Sequence, residues 1–229
     1  MIDFNQMIDK YLHREVRPRT DGRYYPSEIG SCIRKVWYGY KKPKERPNDV
    51  IKIFQMGNMI HDFIADVLKS EKNPEIELLK SEVPFRENIE DFMISGRVDD
   101  VLMIKESGRT VLVEVKSTKM VSMAKEPQES HLMQLQIYLH FLKLRYGMIV
   151  YVEKNTLQTK WFNVEYDAQK AEDAIKRFKR LHLAVKNDEI PEPEAKMTPG
   201  KEWECGYCDW KEECWGLRQN SQDGQGNTS

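Results

Sequence analysis

The apolar positions of this sequence recur at helical spacing in five segments, each with polar residues on its other side. In the last of these segments, Ala171, Ala174, Phe178 and Leu181 recur every three or four residues and define one apolar face. Ser31 precedes the second segment and is its predicted N-cap residue. The pattern therefore predicts helices over 3–15, 32–40, 50–69, 129–144 and 168–186.

Shorter segments rich in Val, Ile and aromatic residues have the character of β-strands. They cover 76–86, 92–104, 110–117, 148–152 and 160–164. Because the short glycine-containing segment 105–109 joins the second strand to the third, these two are expected to form an antiparallel hairpin. Strands interspersed with helices predict an α/β or α+β fold, with a mixed central sheet flanked by helices.

The domain organisation follows from length and composition. A chain of 229 residues suits one substantial core, and we assign residues 1–218 to a single domain. The Pro- and Glu-containing stretch 189–194 is predicted to be a linker into a cysteine-bearing segment. Residues 219–229 are polar and contain glycine, which predicts a disordered tail.

Charge and hydropathy exclude some classes of protein. Lys and Arg number 36 against 37 Asp and Glu, so the net charge of -1 gives no overall attraction to nucleic acid or anionic membrane, although a local basic groove remains open. No apolar stretch approaches the roughly 18 residues of a membrane span, and no membrane association is expected. The N-terminal segment is charged and lacks the apolar centre of a secretion signal, which predicts a cytoplasmic protein.

The four cysteines form an unusual set for such a protein. Cys205, Cys208 and Cys214 follow a C-x2-C-x5-C pattern, and Cys32 is the remaining cysteine. In a reducing compartment disulfides are disfavoured, and four thiolates can hold zinc or an iron–sulfur cluster. Zinc sites usually pair two short C-x2-C motifs, so the arrangement of one plus three favours a cluster, with zinc and free thiols as alternatives.

Charged residues on the predicted hairpin indicate a catalytic site that binds a metal ion. Glu114 and Lys116 lie on the same face of one strand, and the hairpin register can bring Asp99 beside Glu114. Two converging carboxylates attract a hard divalent cation, which can polarise a phosphoryl oxygen and activate water. Lys116 could then orient that water or offset the charge that develops on the phosphate. The alternative is an ordinary solvated strand face beside a turn.

Three further side chains fit this interpretation. His61 follows Gly57 on the predicted helix before the strands, and a neutral imidazole is a suitable ligand for Mn²⁺. Gln134 and Tyr138 lie four residues apart, and hence on one face of a later helix. Taken singly, His61 would more often be a hydrogen-bonded helix residue, and Gln134 and Tyr138 a face packed on the sheet.

The order of these features resembles the RecB-like branch of the PD-(D/E)XK nuclease superfamily, between about Cys32 and Cys214. More narrowly, the chain is similar to the iron–sulfur nucleases associated with CRISPR spacer acquisition, and to the nuclease parts of AddB-type helicase–nucleases. Val98 stands where the superfamily name has proline. The motifs are Gly57-x-x-x-His61, Gly96-Arg97-Val98-Asp99, Glu114-Val115-Lys116, Gln134-x-x-x-Tyr138, and the one upstream and three C-terminal cysteines.

The resemblance implies a restriction-endonuclease-like core and a role for each matching residue. His61, Asp99, Glu114 and the carbonyl of Val115 would hold Mg²⁺ or Mn²⁺. Lys116 would position the nucleophilic water or stabilise the transition state, and Gln134 and Tyr138 would engage the DNA and Lys116. The four thiolates of Cys32, Cys205, Cys208 and Cys214 would bind an iron–sulfur cluster, 4Fe-4S rather than 2Fe-2S by analogy, tying the C-terminal segment to the N-terminal helix.

The same resemblance implies a single-stranded DNA exonuclease, often acting from the 5′ end, in DNA repair or with CRISPR integrase proteins as partners. Two other classes stay open at this point, a non-catalytic DNA-binding scaffold with the same fold and a zinc-stabilised interaction module. The sequence leaves homo-oligomerisation open as well.

Overall fold

A computed structural model describes residues 2–222. Its helices are α1 (Phe4–Leu12), α2 (Ile33–Lys41), α3 (Asn48–Lys69), α4 (Glu129–Leu142), α5 (Ala168–Lys186), α6 (Glu194–Met197) and α7 (Lys211–Gln222). Its strands are β1 (Arg23–Tyr24), β2 (Ile76–Ile89), β3 (Phe92–Ile104), β4 (Arg109–Thr118), β5 (Tyr146–Glu153) and β6 (Thr159–Glu165). Short 3-10 helices cover Pro26–Glu28, Val121–Met123 and Glu202–Tyr207. The predicted mixed α/β class is confirmed, while β1, α6 and α7 were not predicted.

The six strands form one mixed sheet in the order β1-β3-β4-β5-β6, with β2 paired to the other edge of β3. The predicted hairpin of β3 and β4 is antiparallel, and β4 continues parallel to β5. Along one edge of β3, β4 pairs with residues 100–104 and the two-residue β1 pairs with Met93 and Ile94. Residues 95–99 of β3 lie between these two pairings, so this stretch of its edge is available to side chains from elsewhere.

Strand β4 is covered on both faces. Val113 and Val115 point to one side and pack with Ile60 of α3. Leu112 points to the other side, into the larger core that includes Leu135 of α4. Because both faces are covered, the Glu114 side chain is buried in the interior, at 1% exposure.

The C-terminal segment packs against the start of α2. Cys32, not Ser31, is the N-cap residue of α2, and no side chain of its own caps the helix. Instead, the Cys32 amide donates to the Glu204 carboxylate at 3.0 Å, and the Ile33 amide donates to the Glu194 carboxylate at 3.2 Å. The prediction of a Ser31 cap was wrong because carboxylates distant in sequence satisfy these helix N-terminal donors.

Two observations concern the C-terminus of the chain and membrane-spanning helices. Helix α7 extends to Gln222, which takes in the first residues of the predicted polar tail, and 223–229 lie outside the described residues. Within 2–222, no helix has both the length and the apolar character that crossing a bilayer requires.

Candidate active site

The site begins with a contact between α3 and β3. Nδ1 of His61 lies 3.3 Å from Oδ2 of Asp99, and that carboxylate also accepts a hydrogen bond from the Val115 amide at 2.8 Å. The hairpin register pairs Asp100 with Val113, so Asp99 lies beside Glu114 at the open end of the hairpin. Burial lowers the pKa of His61, but its hydrogen bond to Asp99 and the charge of that carboxylate outweigh burial, and the pKa is raised.

Behind this contact, β4 supplies Glu114 and Lys116. Nζ of Lys116 lies 2.7 Å from Oε1 of Glu114, while Oε2 of Glu114 is buried without a hydrogen-bond partner among the described residues. Burial raises the pKa of Glu114 to about 7, although the Lys116 charge opposes this. Burial lowers the pKa of Lys116, but the charge of Glu114 outweighs it and the pKa is raised. Lys116 is therefore an ammonium donor at neutral pH.

Helix α4 closes the back of the site with both of its predicted residues. Oε1 of Gln134 accepts a hydrogen bond from Nζ of Lys116 at 3.0 Å. The Tyr138 hydroxyl donates to the carbonyl of Arg97 at 3.0 Å, on the stretch of β3 between its two strand pairings. Gly96 permits this approach, because a Cβ atom there would lie 2.8 Å from the Tyr138 hydroxyl oxygen.

Glu82 of β2 also reaches this site, and the sequence analysis missed it. Among the described residues, the ligand atoms of His61, Glu82 and Asp99 form the one group of three that lie within 4.8 Å of one another. Glu114 is not in this group. Glu82 has a φ of 54° in the middle of a strand, an unfavourable conformation for a non-glycine residue. Its position opposite Asp99 depends on the pairing of β2 with β3, which motif spacing does not reveal.

Comparison with known families places the chain in one superfamily. A family model described as the PD-(D/E)XK nuclease superfamily matches residues 11–215. The chain belongs to this superfamily. The protein is therefore a nuclease, an enzyme that hydrolyses phosphodiester bonds, and its restriction-endonuclease-like fold is the one that the sequence motifs indicated.

Individual relatives of this nuclease are distant in sequence. A CRISPR-associated exonuclease Cas4 of Saccharolobus solfataricus is 23% identical over 197 residues, covering 83% of this chain and 86% of the relative. The crystal structure of SSO0001 has a TM-score of 0.61 at 20% identity, over 90% of this chain and 91% of that one. LHK-Exo in complex with dAMP has a TM-score of 0.53 at 13% identity, over 74% and 90%. These two structures support the fold.

The nuclease fold brings all four cysteines to one pocket. Cys32, Cys205, Cys208 and Cys214 line it, and the Arg34 guanidinium donates to Sγ of Cys214 at 3.5 Å. No disulfide bond joins any of these four cysteines. Burial raises the pKa of Cys205 and of Cys208, and the other cysteines add to this effect.

The aromatic residues around the cysteines differ in burial. Trp210 is buried, stacks on Tyr38 and donates from Nε1 to the Lys42 carbonyl at 2.9 Å. Trp203, Tyr207 and Trp215 are exposed. Of these four aromatic residues, only Trp210 belongs to the hydrophobic core.

Proposed function

We propose that the protein is a divalent-metal-dependent DNA nuclease whose active site consists of His61, Asp99, Glu114 and Lys116. The observation that carries the proposal is the buried Oε2 of Glu114, which has no hydrogen-bond partner among the described residues, behind the contact of His61 with Asp99. A buried carboxylate oxygen without a donor is unfavourable, and a cation at this place would remove the penalty.

The donors suit Mg²⁺ or Mn²⁺. An imidazole nitrogen and carboxylate oxygens are ligands that these ions accept, and the Val115 carbonyl adjoins Glu114. Glu82 offers a further carboxylate beside His61 and Asp99. Bound there, the ion would supply Lewis-acid activation of a phosphoryl oxygen and of the attacking water.

The remaining residues act on the phosphate and on each other. Lys116 is a permanent ammonium that can donate to the attacking water or to a phosphoryl oxygen as negative charge develops. Gln134 and Glu114 each accept one hydrogen of this ammonium, which leaves the third for the attacking water or the phosphate. Tyr138 fixes the backbone of β3 two residues before Asp99. Both α4 residues are positioning residues in this proposal.

The mode of cleavage is proposed from relatives. The S. solfataricus relative is a CRISPR-associated exonuclease, and the motifs of this chain resemble those of single-stranded DNA exonucleases. We infer the same activity here, with the 5′-to-3′ direction as the expected polarity. A role in CRISPR spacer acquisition with integrase proteins, or in DNA repair, follows from the same resemblance.

The cysteine pocket is proposed to hold an iron–sulfur cluster. All four cysteines line one pocket, one from the start of α2 and three from the C-terminal segment. This arrangement differs from the two short C-x2-C motifs typical of zinc sites, and it favours a multi-iron cluster. A bound cluster would crosslink the C-terminal segment to α2.

One assay tests the proposed activity. Single- and double-stranded DNA, labelled at the 5′ or the 3′ end, is incubated with and without Mn²⁺ or Mg²⁺. We expect metal-dependent cleavage of the single strand that Glu114→Ala abolishes, whereas Glu106→Ala, on the turn between β3 and β4, retains it. Circular single-stranded DNA separates exonuclease from endonuclease cleavage. Metal-independent cleavage, or full activity of folded Glu114→Ala protein, would overturn the proposal.

A further inference from the structure

A cleft of about 790 Å³ opens from the active site along β2 and β3. Its floor follows from strand alternation, since every second side chain of each strand points to the same face. The register pairs Pro84 with Arg97 and Arg86 with Ser95. The residues of β2 and β3 that line this face are Glu82, Pro84, Arg86, Ser95, Arg97 and Asp99.

Charge is separated along this cleft. At the end nearest α3, Glu82 and Asp99 lie beside His61, and Arg97 contacts Glu82 at 2.5 Å. At the other end, Arg86 and Arg23 lie on either side of Ser95. The cleft therefore runs from an acidic end, suited to a cation, to a basic end, suited to an anion.

The basic end has unused donors. Nε of Arg23 donates to the buried Ser95 hydroxyl at 2.8 Å, which fixes the guanidinium and leaves its terminal nitrogens for another acceptor. Among residues 2–222, no carboxylate is within 4.0 Å of Arg23 or of Arg86 to form an ion pair. Two neighbouring guanidinium groups without a counter-charge favour a bound anion.

An aromatic surface accompanies these arginines. Tyr25 lines the same cleft, with the Arg23 guanidinium 5.7 Å from the centre of its ring. Aromatic rings beside a basic groove are typical of proteins that bind unpaired nucleic-acid strands, because every base can stack on such a ring. The volume of the cleft is in the range of small-ligand sites, which suits a short stretch of one strand.

We propose that the basic end of this cleft holds the phosphodiester backbone of the substrate strand on one side of the scissile bond, with Arg23 and Arg86 on its phosphates and Tyr25 against a base. The inference rests on the proposed function, because it assumes that the strand is cleaved at the acidic end of the same cleft and continues from there to the basic end. It assigns the substrate path to the β2–β3 face, next to β1.

Binding without cleavage tests this path. The affinity for a short fluorescein-labelled oligothymidylate is measured by anisotropy over a range of KCl concentrations, in EDTA to prevent cleavage. Arg86→Gln and Arg23→Gln should each weaken binding about 10-fold, as expected for a charge-assisted hydrogen bond. Each should also lower the salt dependence, log Kd against log salt, by about 0.7 per lost phosphate contact. Arg145→Gln, in an exposed ion pair with Glu165, is the matched control.

A loss of binding can come from a lost phosphate contact or from unfolding of the variant. Arg86 makes no side-chain hydrogen bond among the described residues, so Arg86→Gln decides the outcome should Arg23→Gln lose its thermal unfolding transition. Tyr25→Phe should bind as wild type does, and Tyr25→Leu should bind more weakly. A single neutral methylphosphonate at the contacted position should weaken wild-type binding and leave Arg86→Gln unaffected.

The proposal is overturned if Arg86→Gln matches Arg145→Gln in affinity and salt dependence, or if no methylphosphonate position distinguishes it from wild type. Failure of the proposed function gives a different pattern. In that case arginine-dependent binding persists while wild-type protein with Mn²⁺ cleaves no DNA. Cleavage that depends on Glu114, combined with unaltered binding by Arg86→Gln, rejects only the strand path.

Discussion

The Lys116 ammonium lies 2.7 Å from one carboxylate oxygen of Glu114, a side chain that is fully buried in the sheet. The two residues lie on the same face of β4, and Gln134 accepts a second hydrogen bond from the same ammonium. This ion pair keeps a negative charge in the protein interior, where an unpaired carboxylate would be strongly unfavourable.

Removing only the ammonium should therefore destabilise the protein. At a pH well above 7, where Glu114 is ionised, Lys116→Met should lower the free energy of unfolding in metal-free buffer by about 3–5 kcal/mol, because it leaves a buried charge uncompensated. Adding Glu114→Gln should restore most of this loss. Urea denaturation of the two single variants and the double variant measures the coupling.

The exposed pair of Arg145 with Glu165 provides the control, since breaking it should cost at most about 1 kcal/mol. Additive losses in Lys116→Met and Glu114→Gln would show that the buried pair is not coupled as proposed.

Gln134 should affect cleavage only through Lys116. Gln134→Leu removes the acceptor that orients the ammonium and should reduce kcat by about 10-fold, from the loss of roughly one hydrogen bond. In a Lys116→Ala background the same change should have no further effect. Single-turnover cleavage by the four proteins gives the comparison, and a full additional loss in the Lys116→Ala background would disprove the positioning role.

Gly96 and Tyr138 should be coupled sterically. A methyl group at residue 96 would lie 2.8 Å from the Tyr138 hydroxyl oxygen, so Gly96→Ala should cost about 1–3 kcal/mol of stability. The cost should be smaller in a Tyr138→Phe background, which lacks that oxygen. Thermal and urea unfolding of the single and double variants test this. An equal cost in both backgrounds would assign the strain to Pro26, whose Cδ atom would lie 3.2 Å from the same methyl group.

The helices and strands that could be predicted from the sequence are those with one apolar face and one polar face. The β3–β4 hairpin could be predicted because the loop at 105–109 is short and allows few strand registers. The predicted register placed Asp99 beside Glu114, as in the structure. Glu82, Arg23 and Arg86 could not be found in this way, since their positions depend on strand pairings across long sequence separations. The Ser31 cap failed for the same reason, because Glu194 and Glu204 arrive from the C-terminal segment.

The basic run at residues 41–46 is the densest in the sequence, and two of its lysines form ion pairs within the protein. In the structure, Lys41 pairs with Asp21 and Lys44 pairs with Glu213. Lys44 also donates to the Asp209 carbonyl. The two Lys44 contacts attach the C-terminal segment to the loop after α2.

The cysteine ligands should determine both colour and stability. Cys208→Ala should abolish the visible absorbance of anaerobically purified protein and lower its Tm, because the segment around it buries little apolar surface of its own. Iron and zinc analysis of the wild type identifies the metal. A colourless wild-type protein containing stoichiometric zinc would replace the cluster by a zinc site, and a coloured, stable Cys208→Ala protein would remove Cys208 from the ligand set.

His131 should make the protein sensitive to acid. Its Nδ1 lies 2.8 Å from the Tyr151 hydroxyl, and burial, assisted by the Lys116 charge, lowers the pKa of His131 from 6.5 to about 3. Since the folded pKa lies below the unfolded one, this contribution to stability is complete above pH 6.5 and is lost as pH falls toward 3. The slope should be at most about 1.4 kcal/mol per pH unit.

Urea unfolding of wild type and His131→Gln between these two pH values measures that slope. The variant should lose less stability than the wild type on acidification. Parallel curves for the two proteins would mean that other groups cause the acid sensitivity.

The most direct test of the account is the position of a divalent ion in crystals soaked with Mn²⁺, located by anomalous scattering. The account predicts a peak coordinated by the His61 ring nitrogen and an Asp99 carboxylate oxygen at about 2.0–2.3 Å. The Glu114 carboxylate should move toward the ion as the third ligand, with the Lys116 ammonium close by. A peak that lacks even one of these three ligands would contradict the account. The absence of a peak at a manganese concentration that supports cleavage would contradict it as well.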